Sequence, residues 1–186
     1  MKQKGILYTS ASAILFGIAP LLTVIVYRED VSSMTTVFYR ALFAVIMLAV
    51  LCKYKHISFA LSKRQLLDIA IAALLGSGLT TILLFMSYEY IDTGTATSLH
   101  FLYPIFVALM CRMFFHEHLG MQKCLSLLLA FVSMLFFLSD AKQGGMLGYI
   151  TAIASSITYA FYMVYLDKRG LTKIPSFLLS LYLNLF

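Results

Sequence analysis

Charged side chains are scarce in this sequence of 186 residues, and their scarcity excludes an ordinary soluble domain. Asp, Glu, Lys and Arg together make up 12% of the chain, whereas hydrophobic residues make up 61%. The mean hydropathy is +0.90. A soluble domain carries about a quarter charged residues, because water must solvate its surface. The few charges here lie between long apolar runs, which indicates a chain embedded in a lipid bilayer.

Motifs for catalysis and nucleotide binding are also missing. The sequence contains no HExxH, no GxSxG and no Gly-rich phosphate loop, and its three cysteines lack CxxC spacing. His116, Glu117 and His118 are consecutive, so their side chains point in different directions and do not favour a metal site. Glu117 is instead expected to cap the helix or to pair with Arg112 or Lys123. We therefore predict that the protein is not an enzyme and binds no cofactor or metal.

The net charge of +6 reflects membrane topology rather than nucleic-acid binding. The basic residues form no stripe interleaved with solvated aromatics, so no nucleic-acid partner is expected. Eleven of the 14 Lys and Arg residues lie in alternate loops, against Arg28 and Lys142 in the other loops. Because basic residues concentrate on the cytoplasmic side, we predict a multi-pass protein of the plasma membrane with a cytoplasmic N-terminus.

Six apolar segments are long enough to cross the membrane as helices, since about 20 residues span the roughly 30 Å hydrocarbon layer. They cover residues 5–27, 34–52, 66–88, 95–115, 121–139 and 146–166. The first is too long for the apolar part of a signal peptide, so we interpret it as a retained anchor. Another apolar segment begins near Ser176 and is too short to span by Phe186. The predicted fold class is an all-α membrane protein, a multi-span helical bundle.

Residues 5–43 and 148–186 match each other without a gap, which suggests an internal repeat. The identities include Gly5 with Gly148, Ala11 with Ala154, Ser12 with Ser155, Ile14 with Ile157, Tyr39 with Tyr182, Leu42 with Leu185 and Phe43 with Phe186. Two apolar helices of similar composition also produce such matches, and this alternative stays open. The offset encloses five predicted spans, an odd number, so the second copy would start on the opposite side of the membrane. Inverted repeats of this kind recur in secondary transporters.

Three stretches occur in an order that is typical of one transporter family. The first span contains SASAILFGIAP, and the second contains VFYRALFAVIML with Arg40 near its start. Residues 87–123 read SYEYIDTGTATSLHFLYPIFVALMCRMFFHEHLGMQK, with a short turn, a helix start rich in small residues, Pro104 within the helix and Glu117 after it. In these features the chain resembles the EamA-like branch of the drug/metabolite transporter superfamily.

This resemblance implies an inverted-repeat architecture of two five-helix units. Residues 5–139 would form the first repeat and residues 146–186 the incomplete beginning of the second, truncated after about 6.5 spans. The implied function is a secondary transporter, an exporter of a small organic metabolite or drug, that works by alternating access. Coupling to a proton or another ion stays open, as does the oligomeric state. The alternative is a non-transporting membrane fragment or assembly partner, because one repeat and a stub cannot close a cavity between two repeats.

Arg40 is the most informative single residue for a binding site. An ionised side chain inside an apolar span costs a few kcal/mol unless it faces the bundle interior or reaches an interface. One interpretation is attraction of an anionic group or stabilisation of a gated conformation. The other is a structural ion pair with Asp30, Glu89 or Asp92, which lie on the same predicted side of the membrane.

Polar residues at helical spacing mark further candidates. Thr97, His100 and Pro104 share one face of the span 95–115, and Pro104 frees the backbone carbonyl of His100. His100 would either carry a proton or form a hydrogen bond between helices. The span 146–166 carries a hydroxyl stripe that would either line a site or join helices. The candidate substrate-binding residues are Tyr8, Ser12, Arg40, Thr81, Tyr88, Thr97, His100, Ser155, Thr158 and Tyr162, with Pro104 and Glu117 as structural residues.

Overall fold

The computed structural model describes residues 2–118, 120–122, 125–129, 131–132 and 145–186, and this part of the chain is helical without strands. The main helices are α1 (Lys2–Tyr27), α2 (Ser33–Tyr54), α3 (Lys63–Tyr90), α4 (Thr93–Phe115), α5 (Met146–Lys168) and α6 (Ser176–Leu185). A π-helical segment, Ala72–Gly78, lies within α3. A turn at Phe101 and Leu102 interrupts α4.

Five of these helices, α1 to α5, are long and apolar enough to cross a membrane. They confirm the prediction of a multi-span helical membrane protein, and α6 is a shorter apolar helix where an incomplete span was expected. The predicted span 121–139 lies largely outside the described residues. Large apolar side chains on α1 and α2 are exposed, including Leu15, Phe43 and Met47 at 66–70%. A bilayer would cover this surface, since lipid tails are as apolar as these side chains.

Side-chain caps define where three of the helices begin. The first turn of a helix has backbone N–H groups without partners inside the helix, and a short polar side chain can accept from them. Ser32 caps α2 in this way, and Asp92 caps α4. Ser62 and Gln65 form a reciprocal capping box at the start of α3. Of these caps, Asp92 lies in the short α3–α4 turn, where it fixes the start of α4 directly after the end of α3.

Two glycines allow α3 and α5 to approach closely. A Cβ atom added at Gly76 would lie 2.7 Å from the Cβ of Tyr162. A Cβ atom at Gly148 would lie 2.9 Å from the Cβ of Tyr90 and 2.8 Å from Cγ2 of Ile91. Small residues at an interface bring helix backbones together, which is how membrane helices gain van der Waals contact without a hydrophobic driving force.

Two buried clusters hold the helices together at opposite ends of α3 and α5. The first joins the end of α2 to the start of α3, the end of α5 and α6, and includes Cys52, Ile69, Ala72, Leu166, Leu171 and Leu178. The second joins the end of α3 to the starts of α4 and α5, and includes Leu84, Phe85, Ile91, Ala96, Leu99 and Ala152.

Ionic contacts fasten the last turn of α5 to its neighbours. Lys168 Nζ lies 2.6 Å from Glu117 Oε1, just beyond the end of α4. Arg169 Nε lies 3.8 Å from Asp68 Oδ1 in α3, and the Tyr165 hydroxyl donates to the same oxygen at 2.9 Å. Lys168, brought to Glu117 by helix packing, is a partner that the sequence did not predict.

Candidate functional site

A cavity of about 890 Å³ borders the second cluster, whose Leu84 and Phe85 belong to its lining, and five helices contribute to that lining. Its serine and threonine side chains come from α1, α3 and α4 and include Ser12, Ser77, Thr80, Thr81, Thr97 and Ser98. The α1 wall is otherwise mainly small and apolar, with Ala13, Gly17 and Pro20 among its residues. Arg40 is the contribution of α2. The cavity lining is thus mainly apolar with a limited number of polar groups, as expected of a small-molecule site.

Aromatic rings form a continuous wall where α4 meets α5. The Tyr103 and Tyr159 rings meet edge to face, with centroids 4.7 Å apart and planes at 82°. His100 packs against Tyr159 at 5.2 Å, and Tyr162 continues the row at 5.6 Å from Tyr159. Edge-to-face pairs are favourable because the positive edge of one ring meets the negative face of the other. The rings therefore support one another and offer a stiff surface for the apolar body of a ligand.

Arg40 reaches the cavity without an ion-pair partner among the described residues. Its guanidinium carbon lies 5.4 Å from the centroid of the Phe85 ring, a cation–π arrangement. Two of the three acids expected to pair with it have other partners. Glu89 accepts a hydrogen bond from the Ser33 backbone at 2.8 Å, and Asp92 caps α4. The described ion pairs involve Lys168 and Arg169 instead, so the ion-pair interpretation of Arg40 is wrong for Asp30, Glu89 and Asp92.

The hydroxyl stripe of α5 mainly joins helices. Thr158 Oγ1 lies 2.7 Å from Thr80 Oγ1 in α3. Ser155 Oγ lies 3.0 Å from His100 Nδ1 and 2.6 Å from the Ala152 carbonyl, to which it donates. Because a serine hydroxyl has one hydrogen, this geometry favours an Nδ1–H of His100 that donates to Ser155. Both interpretations of the stripe therefore apply: Ser155 and Thr158 link helices, whereas Tyr162 lines the cavity.

The Thr80–Thr158 contact leads to a quantitative prediction. In a double-mutant cycle of Thr80→Val and Thr158→Val, we expect a coupling of about 0.6 kcal/mol in the free energy of unfolding, as for typical hydrogen bonds between membrane helices. Unfolding of the protein in lipid nanodiscs measures it. The control cycle pairs Thr158→Val with Thr36→Val, since Thr36 bonds only to the Ser32 carbonyl of its own helix start. Equal coupling in both cycles would contradict the prediction.

Comparison with known proteins now adds to this geometry. The model of the EamA-like transporter family matches residues 3–139. The chain belongs to the EamA-like transporter family. No solved structure matches it significantly. The resemblance seen in the sequence is therefore confirmed, and the EamA-like fold provides the framework in which the cavity lies.

Two relatives of this EamA-like chain are described as uncharacterised transporters. One, from Synechocystis sp., is 34% identical over 91 residues, which cover 47% of this chain and 28% of the relative. The other, from Archaeoglobus fulgidus, is 24% identical over 146 residues, which cover 77% of this chain and 52% of the relative. The matched regions thus span about a quarter and about half of the lengths of these two proteins.

The structure brings most of the sequence-predicted site residues of this EamA-like protein to one cavity. Seven line it: Ser12, Arg40, Thr81, Tyr88, Thr97, His100 and Tyr162. Ser155 and Thr158 lie behind the wall, where they bond to His100 and Thr80. The side chain of Tyr8 lies outside the described residues. Their role in binding a substrate stays a prediction.

The expected face of α4 is broken at the turn that precedes Pro104. Thr97 and His100 belong to the helical segment before Phe101, whereas Pro104 lies in the first turn of the segment that follows. A proline fits there because the first turn needs no N–H donor. Pro104 itself is exposed and does not belong to the cavity lining. The prediction that Pro104 shares one face with Thr97 and His100 is therefore wrong.

Sequence reasoning missed several cavity residues, among them Thr80, Tyr103 and Tyr159. Tyr159 and Tyr162 are three positions apart and share a helix face, so this spacing could have extended the predicted stripe to a second ring. Tyr103 follows the interruption of α4, where extrapolation along a regular helix fails. Thr80 lies on the α3 surface that packs against α5, and nothing in the sequence distinguishes it from Thr81.

Proposed function

We propose that this protein is a secondary transporter that exports a small organic metabolite or drug by alternating access. The observation that carries the proposal is the cavity itself. Side chains of five helices converge on about 890 Å³, a volume in the range of small-molecule sites. Because the chain belongs to a family described as transporters, we interpret this cavity as a substrate site. The candidate substrate-binding residues are those that line it, with Tyr159 and Tyr103 added.

In the proposed architecture, two repeats move relative to each other during transport. Residues 5–139 would form one five-helix repeat and residues 146–186 the beginning of an inverted second repeat, with the site between them. In this arrangement α5 would belong to the second repeat, and it faces α3 and α4 through the His100–Ser155 and Thr80–Thr158 contacts. Rocking of one repeat against the other would open the cavity to each side of the membrane in turn.

The proposal also includes the location of the protein, its orientation in the membrane and the energy source for transport. Basic residues in alternate loops support a plasma-membrane protein with a cytoplasmic N-terminus, and the family resemblance supports export. No phosphate-binding loop occurs in the sequence, so coupling to an ion gradient is the proposed energy source. His100 would carry a coupling proton, because it lines the cavity and histidine changes charge near neutral pH.

Counterflow tests the proposal. The protein is expressed from its own gene and reconstituted in liposomes. The liposomes are preloaded with amino acids, nucleobases, aromatic carboxylates or cationic dyes, and entry of the labelled compound is followed. We expect entry to exceed that into protein-free liposomes several-fold for at least one class. Tyr159→Ala should remove this exchange, because it removes a central ring of the aromatic wall. Tyr182→Ala is the matched control, since Tyr182 bonds to Phe59 away from the cavity. Absence of exchange for every class would contradict transport.

A further inference from the structure

The described residues around the cavity carry charge of one sign. Arg40 is a permanent cation in its lining, and no Asp or Glu of the described residues lines it. A cation two turns inside an apolar helix is costly unless it reaches water, a cavity or a partner, and Arg40 is exposed. Phe85 compensates in part through its ring, but an aromatic face accepts none of the directional hydrogen bonds that a guanidinium offers.

Two acids predicted on the same membrane side as Arg40 have hydrogen-bond partners of their own. Glu89 accepts from the Ser33 backbone N–H. Asp92 accepts from the backbone N–H groups of Gly94 and Thr95 at 2.9 and 3.2 Å. These bonds fix the start of α2 and the start of α4, so releasing either carboxylate would leave a helix end uncapped. Arg40 therefore keeps donors that a ligand can use.

The aromatic wall defines the rest of the ligand. Tyr103, Tyr159 and Tyr162 present ring surface from α4 and α5, and Arg40 belongs to α2. A ligand that satisfied both would carry an anionic group at one end and a flat apolar body at the other. Guanidinium binds a carboxylate with two parallel hydrogen bonds, which adds geometric selectivity to the attraction of charge.

From this arrangement we propose that the cavity selects small organic anions with an aromatic body, with Arg40 as the residue that binds the carboxylate. This inference rests on the proposed function and specifies its substrate class. Cationic compounds are disfavoured, because they would bring a like charge to Arg40 without a carboxylate in the lining to offset it. Neutral aromatics of the same shape gain the ring contacts alone and bind with intermediate affinity.

The absence of tryptophan from the chain makes a direct test possible. Indole-3-acetate, indole-3-ethanol and tryptamine share one ring and differ in charge, and their fluorescence can be read against a protein without indole. The protein in lipid nanodiscs is titrated with each. We expect indole-3-acetate to bind about tenfold or more tightly than tryptamine, which corresponds to about 1.4 kcal/mol, with indole-3-ethanol between them.

Variants at two arginines separate the charge effect from folding. Arg40→Gln should abolish the preference for the anion and leave binding of indole-3-ethanol intact, and Arg40→Lys should retain part of the preference. Arg28→Gln, at an exposed position beyond α1, should change nothing. The inference is overturned if tryptamine binds as tightly as indole-3-acetate, if none of the three binds, or if Arg40→Gln leaves their ratio unchanged. Binding of the anion without counterflow would instead overturn transport and leave the ligand class standing.

Discussion

Substitution of Gly76 by alanine is expected to lower the free energy of unfolding by about 1–3 kcal/mol, the usual cost of overpacking. The added methyl carbon would lie 2.7 Å from the Cβ and 3.2 Å from the Cα of Tyr162. Neither atom belongs to a flexible end of a side chain, so α3 and α5 must separate to admit it. Thermal or denaturant unfolding in lipid nanodiscs measures the loss.

Gly17→Ala is the matched control, because both glycines lie inside apolar helices and a Cβ at Gly17 meets nothing within 4 Å. Substitution of Gly17 by alanine should stabilise the helix by about 0.5–1 kcal/mol, since glycine loses more backbone freedom on folding than alanine. Tyr162→Ala should not rescue Gly76→Ala, because the Cβ of residue 162 remains, whereas Tyr162→Gly should relieve part of the clash. The same sign of effect at Gly76 and Gly17 would contradict the close approach.

The helical spans could be predicted from hydropathy, but their ends and interruptions could not. The predicted segment 66–88 begins three residues after α3 does, because the capping box of Ser62 and Gln65 starts the helix in polar sequence before the apolar run. Hydropathy also gives no information on local backbone geometry. The π-helical segment Ala72–Gly78 and the turn at Phe101 and Leu102 leave the average hydropathy of their helices high.

The site could be predicted in part, because polar side chains inside apolar spans need partners or water. That rule found Arg40 and Thr97 but did not tell a cavity wall from a helix contact. Ser155 and Thr158 satisfy it through His100 and Thr80. Assignment of partners to Arg40 by membrane side also failed, because residues on one side need not be close.

The proposed repeat stays a prediction for a physical reason. One test is whether the face of α1 that carries Tyr8 and Ser12 opposes Ser155, Thr158 and Tyr162 of α5. Of these two α1 side chains, Ser12 is described, and it lines the same cavity as Tyr159 and Tyr162. Symmetry between inverted repeats is a property of backbone geometry over whole helices. Sequence identities between apolar residues are only weak evidence for that symmetry.

Removal of both partners of Asp68 is expected to be among the most destabilising changes at the end of α5. The Asp68 side chain is 12% exposed and lies 3.8 Å from Arg169 Nε, with the Tyr165 hydroxyl at 2.9 Å. In Tyr165→Phe/Arg169→Gln the carboxylate stays enclosed without these donors. We expect a loss of about 1.5–3 kcal/mol in the free energy of unfolding, the usual worth of a hydrogen bond to a charged group.

The effect of a second substitution on the free energy of unfolding shows whether charge burial causes that loss. What matters is whether the substitution raises or lowers this free energy. Asp68→Leu should destabilise the wild type but stabilise the double variant, because it removes an acid that has lost its donors. If Asp68→Leu is harmful in both backgrounds, packing rather than charge would explain the effect. Lys168→Gln provides the contrast. Its pair with Glu117 is shorter, at 2.6 Å, but the two side chains are 32% and 46% exposed. Water replaces such a contact readily, so the shorter ion pair should be the one whose loss the bundle tolerates.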